Sequence, residues 1–204
     1  MMRWVVTGPA GAGKSLFTAA LADLGAAVVD GDKLGHEILA RPEVAARVAE
    51  SFGAEMVAHG VVDRCRLGNL VFQDPGALAK LDSLTHEPLS VLMEERLAAC
   101  VRPQGPPLAV LDAAVYFLLP SPPTSDLVIL VDAPAELRIA RLVQRTGLAP
   151  AVAGARVTAQ QGMSTGWQRA DLTVTNDGTP SDLQHAARRI WMQRGPGIND
   201  EPKD

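Results

Sequence analysis

The segment GPAGAGKS at residues 8–15 constrains this chain more than any other. It matches G-x-x-x-x-G-K-[S/T] at every fixed position, and it follows RWVVT at residues 3–7, an apolar run that reads as a buried strand. It opens LFTAALADLG, in which Leu16, Phe17, Ala20, Leu21 and Leu24 recur at helical spacing and Gly25 is placed to end the helix. Glycines at such a turn let the backbone curl until successive N–H groups converge on phosphate oxygens, and the positive end of the helix dipole adds to that field. Gly8, Pro9, Ala10, Gly11, Ala12, Gly13, Lys14, Ser15 and Leu16 are therefore candidate nucleotide contacts. Lys14 can reach the β and γ phosphates of ATP as a point charge, and the Ser15 hydroxyl is a ligand for Mg²⁺.

A second apolar run, AAVV at residues 26–29, leads into Asp30-Gly31-Asp32, so a strand, loop, helix and strand follow one another in about thirty residues. That is a βαβ unit, and it implies a parallel sheet. Asp30 and Asp32 then fall near the carboxyl edge that carries the glycine loop. A carboxylate there can orient and deprotonate an attacking hydroxyl or hold a magnesium-bound water. Residues 33–101 read as a helical insertion, with VAARVAESFG and PLSVLMEERLAAC as its clearest helices and His86 at the start of the latter. LAVLDAAVYF at 108–117 reads as a strand running into a loop, and LVILVDA at 127–133 and DLTVT at 171–175 read as strands. Helices are expected at 135–145, 151–161 and 183–192, the last capped by Thr179-Pro180-Ser181-Asp182. The fold class is α/β: one domain over residues 1–195, containing the 33–101 region and a lid at 144–165, followed by a polar tail at 196–204.

Composition fits that organisation. A chain of 204 residues with 47% hydrophobic content can bury a core without metals or disulfides. With 19 basic and 23 acidic residues the net charge is −4, which argues against a dedicated nucleic-acid or anionic-membrane binder. Cys65 and Cys100 form no disulfide framework and match no zinc pattern, consistent with reduced thiols in the cytoplasm. No run is apolar and long enough to span a membrane. The expected partner is a small molecule, with no obligate protein partner evident.

Arg138, Arg141 and Arg145 stand at i, i+3 and i+7 of one expected helix, so they share a face that can neutralise a transferring phosphoryl group. Arg156 in the next helix is a further candidate. Asn176, with Asp177 and Gly178, makes a turn. His36, His59 and His185 read as exposed, His86 as facing an acceptor, and Trp4, Trp167 and Trp191 as packing residues.

Taken in order, the phosphate loop, ADLGAAVVDGD, FGAEM, DRCRLGNLVFQDP, LTHEPL, LVILVDAP, RLVQRTGL, RVTAQQ and ADLTVTNDG resemble the bacterial dephospho-coenzyme A kinase family over about residues 3–190. The resemblance implies a P-loop kinase fold with a parallel five-stranded sheet, a helical acceptor-binding region and a small lid. It implies phosphorylation of the ribose 3′-hydroxyl of dephospho-coenzyme A by ATP with Mg²⁺. On that reading Asp32 activates the hydroxyl, Arg64 and His86 face the acceptor, and Arg141, Arg145 and Arg156 clamp phosphates. Asn176 lies near adenine, and Ser15, Asp30 and Asp112 serve the metal. The chain departs from the family pattern where Glu87 separates His86 from Pro88, and across residues 114–118. Two alternatives stand beside it: another small-molecule or nucleotide kinase, and an impaired nucleotide-binding regulatory protein.

Overall fold

The computed structural model describes residues 1–101, 105–160 and 164–197. In chain order the elements are β1 (Met2–Thr7), α1 (Lys14–Asp23), β2 (Ala27–Asp30), α2 (Gly31–Leu39), α3 (Pro42–Phe52), β3 (Val57–Ala58), β4 (Val61–Val62), α4 (Arg64–Gln73) and α5 (Pro75–Ala99). There follow β5 (Leu108–Asp112), β6 (Leu127–Asp132), α6 (Ala135–Thr146), α7 (Pro150–Ala159), α8 (Ser164–Trp167), β7 (Leu172–Thr175) and α9 (Pro180–Arg194). The chain divides into two compact units. The first holds Met1–Asp30, Arg96–Leu118 and the described residues from Thr124 onward; the second holds Gly31–Glu95 and Leu119–Pro123.

In the first unit five strands form one sheet in the order β2-β5-β1-β6-β7, and every pair is parallel. Strands buried on both faces read as unbroken apolar runs, which is what β5 and β6 show. Connections diverge at β1: β2 and β5 lie to one side of it and β6 and β7 to the other. The carboxyl end of β1 is thus the topological switch point, where α/β sheets place their ligands. The core joins Trp4, Val6, Phe17, Leu21, Val110, Ile129 and Val131 to Leu183, Ala187 and Ile190 of α9. Trp4 meets Trp191 edge to face at 6.4 Å, so these two tryptophans are packing residues.

The third expected strand gives way to a loop within its apolar run, as expected. It stops at Asp112, and Tyr116–Leu118 form a single 3₁₀ turn with Tyr116 buried and Tyr116 Oη within 3.1 Å of Ser125 Oγ. At the far end, α9 carries a complete capping box. Thr179 Oγ1 accepts from the Asp182 N–H while Asp182 Oδ2 accepts from the Thr179 N–H. Most of the expected tail lies outside the described residues, as do residues 161–163 of the expected lid.

The second unit is not wholly helical. β3 and β4 pair as a minimal antiparallel hairpin, turned by His59 and Gly60 at φ 53° and 78°. Two positive φ values in succession suit the right-handed twist of a two-residue hairpin, and His is among the few non-glycine residues that tolerate the left-handed region. His86 does not begin a helix. It lies within the 25-residue α5, which runs through Pro88 without ending. The missing N–H and the ring clash cost about 3 kcal/mol. Burial of Leu89, Leu92, Met93 and Leu97, which recur at helical spacing, offsets that cost.

Candidate functional site

The phosphate loop connects the buried end of β1 to α1. Gly13 takes φ 105° at the N-cap of α1, and no side chain caps the helix. First-turn N–H groups that a serine or aspartate cap would satisfy are therefore left for an external anion. At Gly13 a Cβ would strike the Asn176 amide, and at Gly8, where φ is 138°, it would strike the Val131 carbonyl oxygen. Both glycines are set by left-handed backbone and close approach together. Lys14 Nζ donates to the carbonyls of Gly8 at 2.9 Å and Pro9 at 3.3 Å, so its charge already lies over the loop.

Asp30 and Asp112 end adjacent strands and are register partners across the β2–β5 ladder. With Ser15, Thr18, Ala19, Ala22 and Val28 they line a cavity of about 250 Å³. Thr18 Oγ1 lies 3.3 Å from Asp112 Oδ2 and 3.2 Å from the Ser15 carbonyl, which ties α1 to the carboxylate. Two side-by-side carboxylates and a hydroxyl form a hard oxygen donor set that fits Mg²⁺. That ion commonly takes one or two protein carboxylates and completes its shell with water and phosphate. Among the described residues no cluster of three or more His, Cys, Asp or Glu side chains could hold a metal ion.

Three side chains from distant segments brace the loop. Asn176, buried just after β7, donates from Nδ2 to the Ala12 carbonyl at 2.7 Å. Arg141 on α6 donates from Nη2 to the Asn176 carbonyl at 3.1 Å and to Asn176 Oδ1 at 3.4 Å, and from Nη1 to the Gly11 carbonyl at 3.5 Å. Gln160, at the end of α7, accepts from the Ala10 N–H at 2.9 Å. The Asn176 amide and the Arg141 fork are thus engaged with the loop and with each other. Gln160 is not among the sequence candidates; its only sequence signal is its place in RVTAQQ.

The α6 arginines are graded by depth. Arg138 is buried, with its Nε lacking a hydrogen-bond partner and its backbone against Gly11; Arg141 is half-buried; Arg145 is exposed. Arg156 is exposed on α7.

The second unit carries the other candidates. Asp32 is exposed in the first turn of α2, two residues beyond Asp30 in the chain. Arg64 opens α4, and its Nη2 lies 2.9 Å from His36 Nε2. His86 is partly buried, its Nε2 3.3 Å from Asp82 Oδ1 one turn earlier in α5. His36 is exposed, as expected from sequence, and directly engaged with Arg64.

A family model described as Dephospho-CoA kinase matches residues 4–182. A dephospho-CoA kinase of Anaeromyxobacter dehalogenans is 38% identical over 187 residues, covering 91% of this chain and 88% of the relative. One of Mycobacterium tuberculosis is 35% identical over 197 residues; the match takes in 95% of this chain and 47% of that protein, so the chain spans about half the length of the mycobacterial relative. Among solved structures, TT1252 from Thermus thermophilus superposes with a TM-score of 0.74 at 30% identity, covering 95% of this chain and 97% of the other.

Proposed function

The chain belongs to the dephospho-CoA kinase family, phosphorylation of dephospho-CoA is its activity, and we propose the donor, the acceptor atom and the residues that carry the transfer. ATP is the donor and the ribose 3′-hydroxyl the acceptor. The observation that carries this reading is the pairing of Asp30 with Asp112 in one cavity with Ser15, immediately beside the phosphate loop. A loop for the triphosphate and an oxygen site for its counter-ion are the two parts that phosphoryl transfer from ATP requires.

The loop N–H groups and Lys14 bind the β and γ phosphates, Lys14 exchanging the Gly8 and Pro9 carbonyls for phosphate oxygens. Ser15, Asp30 and Asp112 would hold Mg²⁺ directly or through water, and the ion would supply positive charge against the phosphate oxygens. Asp32 accepts the proton of the 3′-hydroxyl as its oxygen bonds to the γ-phosphorus and ADP leaves. Arg145 and Arg156 offer exposed guanidinium groups to the transferring phosphoryl group, where fixed positive charge lowers the barrier. Arg141 acts one step removed, by holding Gly11 and Asn176. Arg64 and His86 hold the acceptor. Transfer is direct, with no covalent enzyme intermediate.

An acceptor panel tests this reading. With ATP and Mg²⁺ present, dephospho-CoA is expected to drive ADP release, whereas shikimate and adenosine are not. ATP binding without ADP release in the presence of dephospho-CoA would overturn it and favour a regulatory nucleotide-binding protein.

A further inference from the structure

Arg64 stands beside an acid that does not neutralise it. Asp63 is the N-cap of α4: its Oδ1 accepts from the N–H groups of Cys65 and Arg66, at 3.1 and 3.0 Å, and its Oδ2 lies 3.2 Å from Arg66 Nε. The polar contact made by the Arg64 guanidinium is with His36 Nε2 instead. Arginine can only donate, so this contact requires Nε2 to present its lone pair, as an imidazole protonated on Nδ1 alone does. A neutral acceptor fixes the direction of a guanidinium without cancelling its charge. The remaining N–H groups of Arg64 are left to meet an anion as a full cation. His36 also lies four residues after Asp32 on α2, a spacing that puts both on one face of the helix, roughly 5–6 Å apart at Cβ. Asp32, His36 and Arg64 thus form a continuous row within the second unit.

We infer that His36 is a positioning residue for acceptor binding: it orients the Arg64 guanidinium toward an anionic group of the acceptor, on the same helix face as the carboxylate that takes the hydroxyl proton. This deepens the reading above and rests on it for the identity of the acceptor. An ion pair at this position would hold Arg64 equally well but spend its charge. Glutamine, whose Oε1 accepts a hydrogen bond without carrying charge, should substitute for the imidazole, whereas alanine should not.

Steady-state kinetics of His36→Ala and His36→Gln test the inference, with His185→Ala, an exposed site on α9, as the control. His36→Ala is expected to raise the KM for dephospho-CoA about tenfold while kcat and the KM for ATP stay within about twofold; His36→Gln should restore most of the loss. In an Arg64→Ala background, His36→Ala should add less than about a twofold further change, because its effect passes through Arg64. Nitrogen NMR of the histidine rings checks the geometry independently of turnover: His36 should hold the Nδ1–H tautomer in the wild type and lose that preference in Arg64→Ala. An unchanged acceptor KM in His36→Ala, or equal effects with and without Arg64, would overturn the inference. A wild-type protein that does not turn over dephospho-CoA would overturn the parent reading instead.

Discussion

Asn176 Nδ2 donates to the Ala12 carbonyl across 2.7 Å, joining the end of β7 to a phosphate loop that lies 164 residues earlier in the chain. Asn176 is 6% exposed and Ala12 fully buried, so water cannot replace the bond if it is lost. Asn176→Ala leaves the Ala12 carbonyl unsatisfied and removes the Oδ1 contact of Arg141, which should cost about 1–3 kcal/mol of stability. Denaturant unfolding measures that loss. Titration calorimetry should show nucleotide affinity falling alongside it, since a loop that must be ordered on binding charges its entropy to the ligand.

Arg141 and Arg145 share a helix but should fail differently. Arg141→Lys keeps the charge yet cannot span the Gly11 and Asn176 acceptors, so ATP affinity should fall and the melting temperature with it. Arg145→Ala changes an exposed side chain, so stability should move by less than about 0.5 kcal/mol while kcat falls. Thermal melts and steady-state kinetics on the same preparations separate the two.

Asp112→Asn removes one of the two carboxylates in the cavity beside Ser15. The expected result is an apparent Mg²⁺ affinity about tenfold weaker, read from the Mg²⁺ dependence of nucleotide binding, with metal-free nucleotide binding unchanged or slightly tighter. A magnesium midpoint identical to the wild type would remove Asp112 from the metal site.

The α9 cap gives a pH signature. Hydrogen bonds from the Thr179 hydroxyl and then the Thr179 N–H hold the Asp182 carboxyl below its usual range. A folded-state value below the unfolded one contributes stability that is complete above the ordinary aspartate range and disappears as pH falls through the lowered value. The difference in melting temperature between wild type and Asp182→Asn should therefore be full at neutral pH and close on acidification below about pH 4. A gap that is constant with pH would mean that the charge of Asp182 contributes nothing.

What could be read from the sequence was local. The phosphate loop, the placement of Asp30 and the α9 capping box depend on neighbours within a turn or two, so residue type and spacing specify them. Asn176 and Gln160 brace that loop from 164 and 150 residues away. Single amides carry no periodicity, and only the fold brings them to Ala12 and Ala10. The β3–β4 hairpin has little sequence signature because its strands are two residues long, although His59-Gly60 between paired valines is a usable turn signal. At Pro88 the local preference to end a helix is strong, but burial of the α5 apolar face outweighs it. The His36–Arg64 contact joins two helices, and nothing in either segment announces it.

The most direct test of the account is the chemical identity of the product. Wild-type protein with ATP, Mg²⁺ and dephospho-CoA is analysed by phosphorus NMR and mass spectrometry, beside Asp32→Asn with its ATP affinity measured separately. One new phosphate monoester, on the ribose 3′-oxygen, is expected. The rate should be roughly 10²-fold or more lower in Asp32→Asn, with ATP binding preserved. Phosphate appearing at another position, or an Asp32→Asn enzyme as fast as the wild type, would contradict it.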